Sequence, residues 1–249
     1  MSILMKGADV AKTMKEDLTG EARRLKDRGI LPSLTIVRVG ARPDDLAYEI
    51  GIECKVVELP ETITQAEFEK TFFKINEDPK VHGILLFRPL PGHLDEGPVV
   101  SRINPLKDVD CMCPVNIAKV FSGDETGHAP CTPEAVMEML DYYKIDPRGK
   151  KVTVIGRSMV VGKPLSMLLL KRHATVTICH TRTKDLSATC REAEILVAAA
   201  GKARMVTADM IGDGAVVVDV GINVDAKGNL CGDVDFNAAE PVTSYISPV

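Results

Sequence analysis

Apolar residues fall at helical spacing near the start of the chain. Val10, Met14, Leu18, Ala22 and Leu25 lie three or four apart, which predicts a helix over residues 8–28. Gly29 stands where a left-handed residue commonly closes such a helix. The period then changes. Leu34–Val39, Cys54–Leu59 and VHGILLF (81–87) are short apolar runs that read as buried strands of a parallel sheet. Between the second and third, TQAEFEKTFFKINED predicts an amphipathic helix with Thr64 as its N-cap. The connection between the first two strands is the odd one. Parallel neighbours need a crossover of about a dozen residues, usually helical. Here the chain offers ARPDDLAYEIGI, whose first half reads as a loop.

Residues 103–116, INPLKDVDCMCPVN, are dense in turn formers and read as irregular. CTPEAVMEMLDYYKI (131–145) predicts a helix with Thr132 as N-cap, Pro133 at its first position and Glu134 in its first turn. Beyond Arg148-Gly149-Lys150 the alternation is regular. Strands at 151–156, 175–179, 194–201 and 215–221 are separated by helical patterns that include 162–173 and 186–193. This predicts an α/β chain of two α/β domains, 1–148 and 149–249. The C-terminal one is a Rossmann-type doubly wound parallel sheet.

Composition narrows the function classes. The chain has 249 residues, 45% hydrophobic and 27% charged, as a soluble globular protein does. Its net charge of −4 argues against nucleic acid or a membrane surface as partner. No run is long enough to span a bilayer, and the first residues do not read as a signal peptide, so the cytoplasm is expected. Seven scattered cysteines without a CxxC pair suit a reducing compartment, and no metal site is expected from them.

The chemistry concentrates in VTVIGRSMVVGKP (152–164). A strand ending at Gly156 and a helix starting near Gly162 form a turn where backbone can approach a phosphate at a helix N-terminus. G-x5-G alone is a weak motif; its place in the first βαβ unit of the domain favours a dinucleotide. At the end of the next strand, NAD enzymes usually place an acid for the ribose 2′-hydroxyl. This chain has CHTRTKD instead, with Thr181, Arg182 and Lys184 ahead of Asp185. Hydroxyls and cations there, with Arg157, suit a 2′-phosphate, so NADP is expected. A solvated basic turn is the competing reading of Arg182 and Lys184. In the first domain the polar candidates are Tyr48, Arg88, Asp108 and Asp110. An Asp in such a loop is more often a turn or cap residue.

Read in order, HGILLFRPLP, KDVDCMCPVN, PCTPEAVMEML, VIGRSMVVGKP, ATVTICHTRT, VVVDVGIN and GDVDF resemble the bifunctional methylenetetrahydrofolate dehydrogenase/methenyltetrahydrofolate cyclohydrolase family over nearly the whole chain. The resemblance implies two reactions on tetrahydrofolate one-carbon derivatives in a cleft between two domains: hydride transfer to NADP, then hydrolysis to 10-formyltetrahydrofolate. It also implies a homodimer joined through the nucleotide domain. On this resemblance Gly156, Arg157 and Ser158 cradle the cofactor, Thr181 meets the 2′-phosphate, and Ile222 lines the nicotinamide side. Asp110 holds the pterin ring and Tyr48 stacks on the folate.

The departures from the family pattern concern the hydrolytic step. The family places its catalytic lysine four residues after the tyrosine, on a helix; here that position is Ile52. About nine residues are expected to be absent between Glu49 and Ile50, a count estimated from the resemblance and in keeping with the length a crossover needs. No catalytic residue is therefore assigned. The chain either lacks the segment or carries it outside the sequence as read; an intact mass well above 27.0 kDa would reveal the latter. Phe87 stands in place of the family glutamine that partners the lysine. Cys111 and Met112 replace a glycine and an aromatic residue, and the family continues past the SPV that ends at Val249.

Overall fold

The computed structural model describes residues 2–40 and 50–249, which form two compact units. Ala11–Ala129 is one; Met1–Val10 and Pro130–Val249 make the other. The chain opens with strand β1 (Ile3–Leu4) and helix α1 (Gly7–Asp27). There follow β2 (Ser33–Val39), β3 (Glu53–Leu59), α2 (Gln65–Glu77), β4 (Gly83–Leu86), α3 (Gly97–Arg102) and α4 (Pro114–Ser122).

In the Ala11–Ala129 unit the strands pair in parallel in the order β3-β2-β4. Phe68 and Phe72 of α2 are fully buried and pack in one cluster with Val37, Ile84 and Leu86. Thr64 caps α2 as expected. Its hydroxyl accepts from Glu67 N at 3.3 Å, while the Glu67 carboxylate accepts from Thr64 N at 3.2 Å. The second strand departs from the expectation of a buried one. β3 is an edge strand with Glu53, Lys55 and Glu58 exposed, and Glu58 receives a 2.7 Å bond from Arg38 of β2. Charged edge positions discourage pairing with another chain. Tyr48 and the place of the expected missing helix lie outside the described residues.

The stretch expected to be irregular is more ordered than its turn formers suggest. Asp108 bridges to Ile84 beside β4, and α4 begins at Pro114. The Cys113 thiol accepts from Asn116 N at 3.4 Å, an N-cap made by a residue type that gives no capping signal.

The second unit contains α5 (Cys131–Tyr142), β5 (Lys151–Ile155), α6 (Gly162–Lys171), β6 (Thr175–Cys179), α7 (Leu186–Arg191) and β7 (Ile195–Ala198). β8 (Ala215–Asp219), the hairpin β9 (Asn223–Val224) and β10 (Leu230–Cys231), α8 (Phe236–Ala239) and β11 (Thr243–Ile246) complete it. Six strands form a parallel sheet in the order β1-β11-β8-β7-β5-β6. Alternate residues feed opposite faces. Val152, Val154, Ile195 and Val197 join the cluster of α5 and α6, while Leu196, Ala198 and Val217 join that of α7 and α8. A sheet covered on both faces reads as continuous apolar runs, which is why these strands were visible in the sequence.

Two expectations are corrected here. The boundary near residue 148 falls inside this unit, because Val136, Met137 and Leu140 of α5 pack against the same sheet face as Leu165 and Leu169 of α6. α5 itself begins at Cys131 after Pro130, without a side-chain cap from Thr132. The chain leaves β5 for β6 on one side, then returns to β7 on the other. The β5–β7 junction is therefore the topological switch point, where doubly wound sheets bind ligands beyond the carboxyl ends of the strands.

Candidate functional site

The loop from Gly156 to Gly162 sits at that switch point. Gly156 has φ +127°, and a Cβ there would lie 2.2 Å from Ala199 O. A Cβ on Gly162 would lie 2.1 Å from Gly156 O. Both glycines are therefore required by close backbone approach: Gly156 lies against Ala199 just past β7, and Gly162 brings the start of α6 down onto the end of β5. Ser158 closes the loop. Its hydroxyl accepts from Val161 N at 3.0 Å, and its carbonyl accepts from Lys163 N at 3.1 Å. The first N–H groups of α6 are thus met from within, and the Ser158 hydroxyl proton remains to be donated. Arg157 and Ser158 are both exposed.

Past β6 the turn 180–185 is built from its own side chains. The Thr183 hydroxyl accepts from His180 N at 2.8 Å, and His180 Nδ1 accepts from Arg182 N at 3.1 Å. That contact leaves the proton of a neutral His180 ring on Nε2. Thr183 is consumed internally, whereas Thr181, Arg182 and Lys184 are exposed. Arg157, Thr181 and Arg182 accordingly present polar and cationic groups from the ends of two adjacent strands, β5 and β6.

On the other side of β5, two carboxylates that sequence reasoning left unassigned organise the loops after β7 and β8. Asp219 accepts from Gly221 N, Asp233 N and Val234 N at 2.9, 3.0 and 2.9 Å. Burial pushes its carboxyl up from the ordinary value, against the pull of those three N–H groups. Asp233, 0% exposed, accepts from Ala200 N, Gly201 N and Lys202 N at 2.5, 2.9 and 2.7 Å, and from Asn223 Nδ2 at 2.9 Å. Ile222 lies between Gly221 and Asn223 and is 79% exposed, an apolar side chain held in the open by that framework. VVVDVGIN and GDVDF carry the only sequence signal: an acid beside a glycine, which by itself reads as a turn.

In the Ala11–Ala129 unit, the Arg88 guanidinium follows β4 and lies 3.8 Å from the Asp110 carboxylate and 3.7 Å from that of Glu96. The Ile84–Asp108 bridge brings Asp110 to this end of β4. Asp108 is 0% exposed, and its carboxylate accepts from Met112 N at 2.9 Å, Cys113 N at 2.8 Å and Asn116 Nδ2 at 3.1 Å. It shapes the turn into α4, so of the two acids only Asp110 is partly open to solvent. Cys111 has φ +54°, a conformation that suits glycine, and its thiol is buried. Burial, aided by Asp108, Cys113 and Asp110, pushes that thiol up to about 12. Phe87 donates its N–H to Val37 O at 2.9 Å and offers only a half-buried phenyl ring.

Two family models match the chain. The catalytic domain of tetrahydrofolate dehydrogenase/cyclohydrolase matches residues 5–110, and the NAD(P)-binding domain of the same family matches residues 130–249. The chain is 55% identical to "Bifunctional protein FolD" of Clostridioides difficile (strain 630), over 99% of this chain and 89% of that protein. That alignment runs over 255 positions against the 249 residues here, so the relative has at least six internal positions that this chain lacks. The crystal structure of the bifunctional enzyme FolD from Campylobacter jejuni superposes with a TM-score of 0.95 at 39% identity, covering 100% of this chain and 92% of that one. A Trypanosoma brucei methylenetetrahydrofolate dehydrogenase-cyclohydrolase, solved with NADP cofactor and inhibitor, gives a TM-score of 0.92 at 35% identity, covering 100% of this chain and 90% of that one.

Proposed function

The chain belongs to the tetrahydrofolate dehydrogenase/cyclohydrolase family, and from that premise we propose how its own residues serve the two reactions. The first oxidises 5,10-methylenetetrahydrofolate: a hydride leaves the methylene bridge for NADP, and the methenyl cation remains. In the second, water adds to that cation and, with loss of a proton, the ring opens to 10-formyltetrahydrofolate. The carrying observation is the close backbone packing at the switch point, where a Cβ on Gly156 would meet Ala199 O just past β7 and a Cβ on Gly162 would meet Gly156 O at the start of α6. When bound, NADP supplies the hydride acceptor; the protein supplies position and dryness.

Ser158 donates its hydroxyl proton to a phosphate oxygen while its lone pairs hold the loop. Arg157 and Thr181 meet the 2′-phosphate, and Arg182 adds charge at the same end. Ile222 covers the nicotinamide face and keeps water from it. Asp110, steadied by Arg88, accepts from the amino edge of the pterin. Arg157→Ala is expected to raise the KM for NADP about tenfold while leaving that for NAD within twofold, since a charge-assisted phosphate contact is worth roughly 1.5–3 kcal/mol. Equal effects on the two cofactors would refute this assignment.

For the hydrolytic step the chain offers less. Phe87 cannot orient a water, and Ile52 stands where the family lysine is expected, four residues after Tyr48. The dehydrogenase is therefore the stronger activity. Separate assays of the two steps test this, and a hydrolysis rate matching the oxidation rate would overturn it. The enzyme acts as a homodimer in the cytoplasm, for which the exposed edge strand β6, with Ile178 38% accessible, provides a surface. Sedimentation of a single monomeric species would exclude the dimer.

A further inference from the structure

We propose that Asp233 is a positioning residue for the nicotinamide half of the cofactor site. This rests on the reading of the second unit as an NADP-binding domain. Three successive backbone N–H groups, those of Ala200, Gly201 and Lys202, converge just past β7. Successive N–H groups of this kind form an anion-binding concavity. Here the anion is the protein's own: both oxygens of the Asp233 carboxylate fill the concavity, and Oδ1 also accepts from Asn223 Nδ2. One buried side chain thereby ties the β7 loop to the β8 loop that carries Ile222. The fit is close, because a Cβ on Gly221 would lie 2.4 Å from the Asp233 carboxylate.

The direction of the effect follows from the sheet order. The 2′-phosphate groups stand at the ends of β5 and β6, so the adenosine half lies on that side of the switch point. The nicotinamide half must then extend over β7 and β8, where the loops are held by Asp233. Filling the concavity from within also closes the β7 loop to the diphosphate. The Asp233 carboxylate accepts from Ala200, Gly201, Lys202 and Asn223, all on the β7 and β8 side of the switch point, so its loss should be felt by half of the ligand only.

Asp233→Asn keeps the shape but replaces one acceptor oxygen with an NH2 that faces N–H donors. Isothermal titration with two ligands reads the consequence: NADP, and 2′,5′-ADP as the adenosine half alone. The expected result is an NADP Kd raised about tenfold, the size of one lost hydrogen bond to a charged group, with the 2′,5′-ADP Kd within twofold of wild type. Asn223→Ala, which removes one donor at a half-buried position and leaves the three backbone bonds in place, is expected to show the same split at about threefold. It serves if Asp233→Asn does not fold. Parallel weakening of both ligands would mean a general structural role and overturn the proposal, as would unchanged NADP binding in the folded variants. A wild-type protein that fails to bind 2′,5′-ADP would instead remove the cofactor reading beneath it.

Discussion

Gly162→Ala adds one methyl group at the most constrained point of the cofactor loop. That Cβ would lie 2.1 Å from Gly156 O, 2.5 Å from Gly156 C and 2.8 Å from Arg157 N. All three are backbone atoms, so no side chain can swing aside. Reaching the 3.0 Å that Cβ atoms tolerate requires the α6 turn and the β5 end to separate by about 0.9 Å. Forced overpacking of this kind costs roughly 1–3 kcal/mol in stability. A shift near 1 Å in a positioning element also costs on the order of 100-fold in rate. The variant should therefore melt several degrees lower and lose about 100-fold in kcat/KM for NADP-dependent oxidation of methylenetetrahydrofolate. NADPH formation and a thermal melt measure both. Wild-type melting together with wild-type NADP affinity would show that the loop is not packed as described.

Gly20→Ala makes the opposite change. Gly20 is exposed within α1, has nothing within 4 Å of its missing Cβ, and should gain about 0.5–1 kcal/mol in a denaturant titration. Arg172→Ala removes a two-pronged pair with Asp141 that links α6 to α5 and holds the Asp141 carboxyl below its ordinary 3.8. Both side chains are about half exposed, so the loss should be at most about 1 kcal/mol. It should be complete above pH 3.8 and fade as Asp141 protonates in stronger acid, so the melting curves of variant and wild type should converge there. A thiol-specific disulfide reagent at mildly alkaline pH should react first with Cys131, the exposed thiol, and more slowly with Cys54. The five buried thiols, including Cys190 at about 12, should appear only after denaturation.

Much of the second unit was legible because burial on both faces writes long apolar runs: 151–155, 195–198 and 215–219 need no partner to be recognised. The helix at 131–142 was equally visible, but not the sheet it packs on. Its apolar stripe predicts a buried face without saying which unit supplies the partner, and the expected boundary near residue 148 followed from that gap. β1 carried no signal, being two residues long and paired with Tyr245 and Ile246 at the far end of the chain. α4 was hidden by its cap, since a cysteine thiol does the work that serine or aspartate usually does. In the site, Gly156 and Gly162 were legible as a motif, and the structure supplied the reason, a backbone contact that no motif expresses.

Asp108, Asp110, Asp219 and Asp233 show where residue type stops being informative. All four stand near turns, and each reads from the sequence as a turn or cap acid. Three of them are consumed by backbone N–H groups of their own unit: Asp108 at the entry to α4, Asp219 and Asp233 in the loops after β8 and β7. Asp110 differs in having a guanidinium 3.8 Å away and a partly open carboxylate. A carboxylate met by three or four N–H donors of its own unit anchors a loop, whereas Asp110 presents a partly open carboxylate beside Arg88. The same counting separates the two concavities at the switch point. The β7 loop has its anion built in, whereas the Gly156–Gly162 loop has an exposed Ser158 hydroxyl and an exposed Arg157 in place of one.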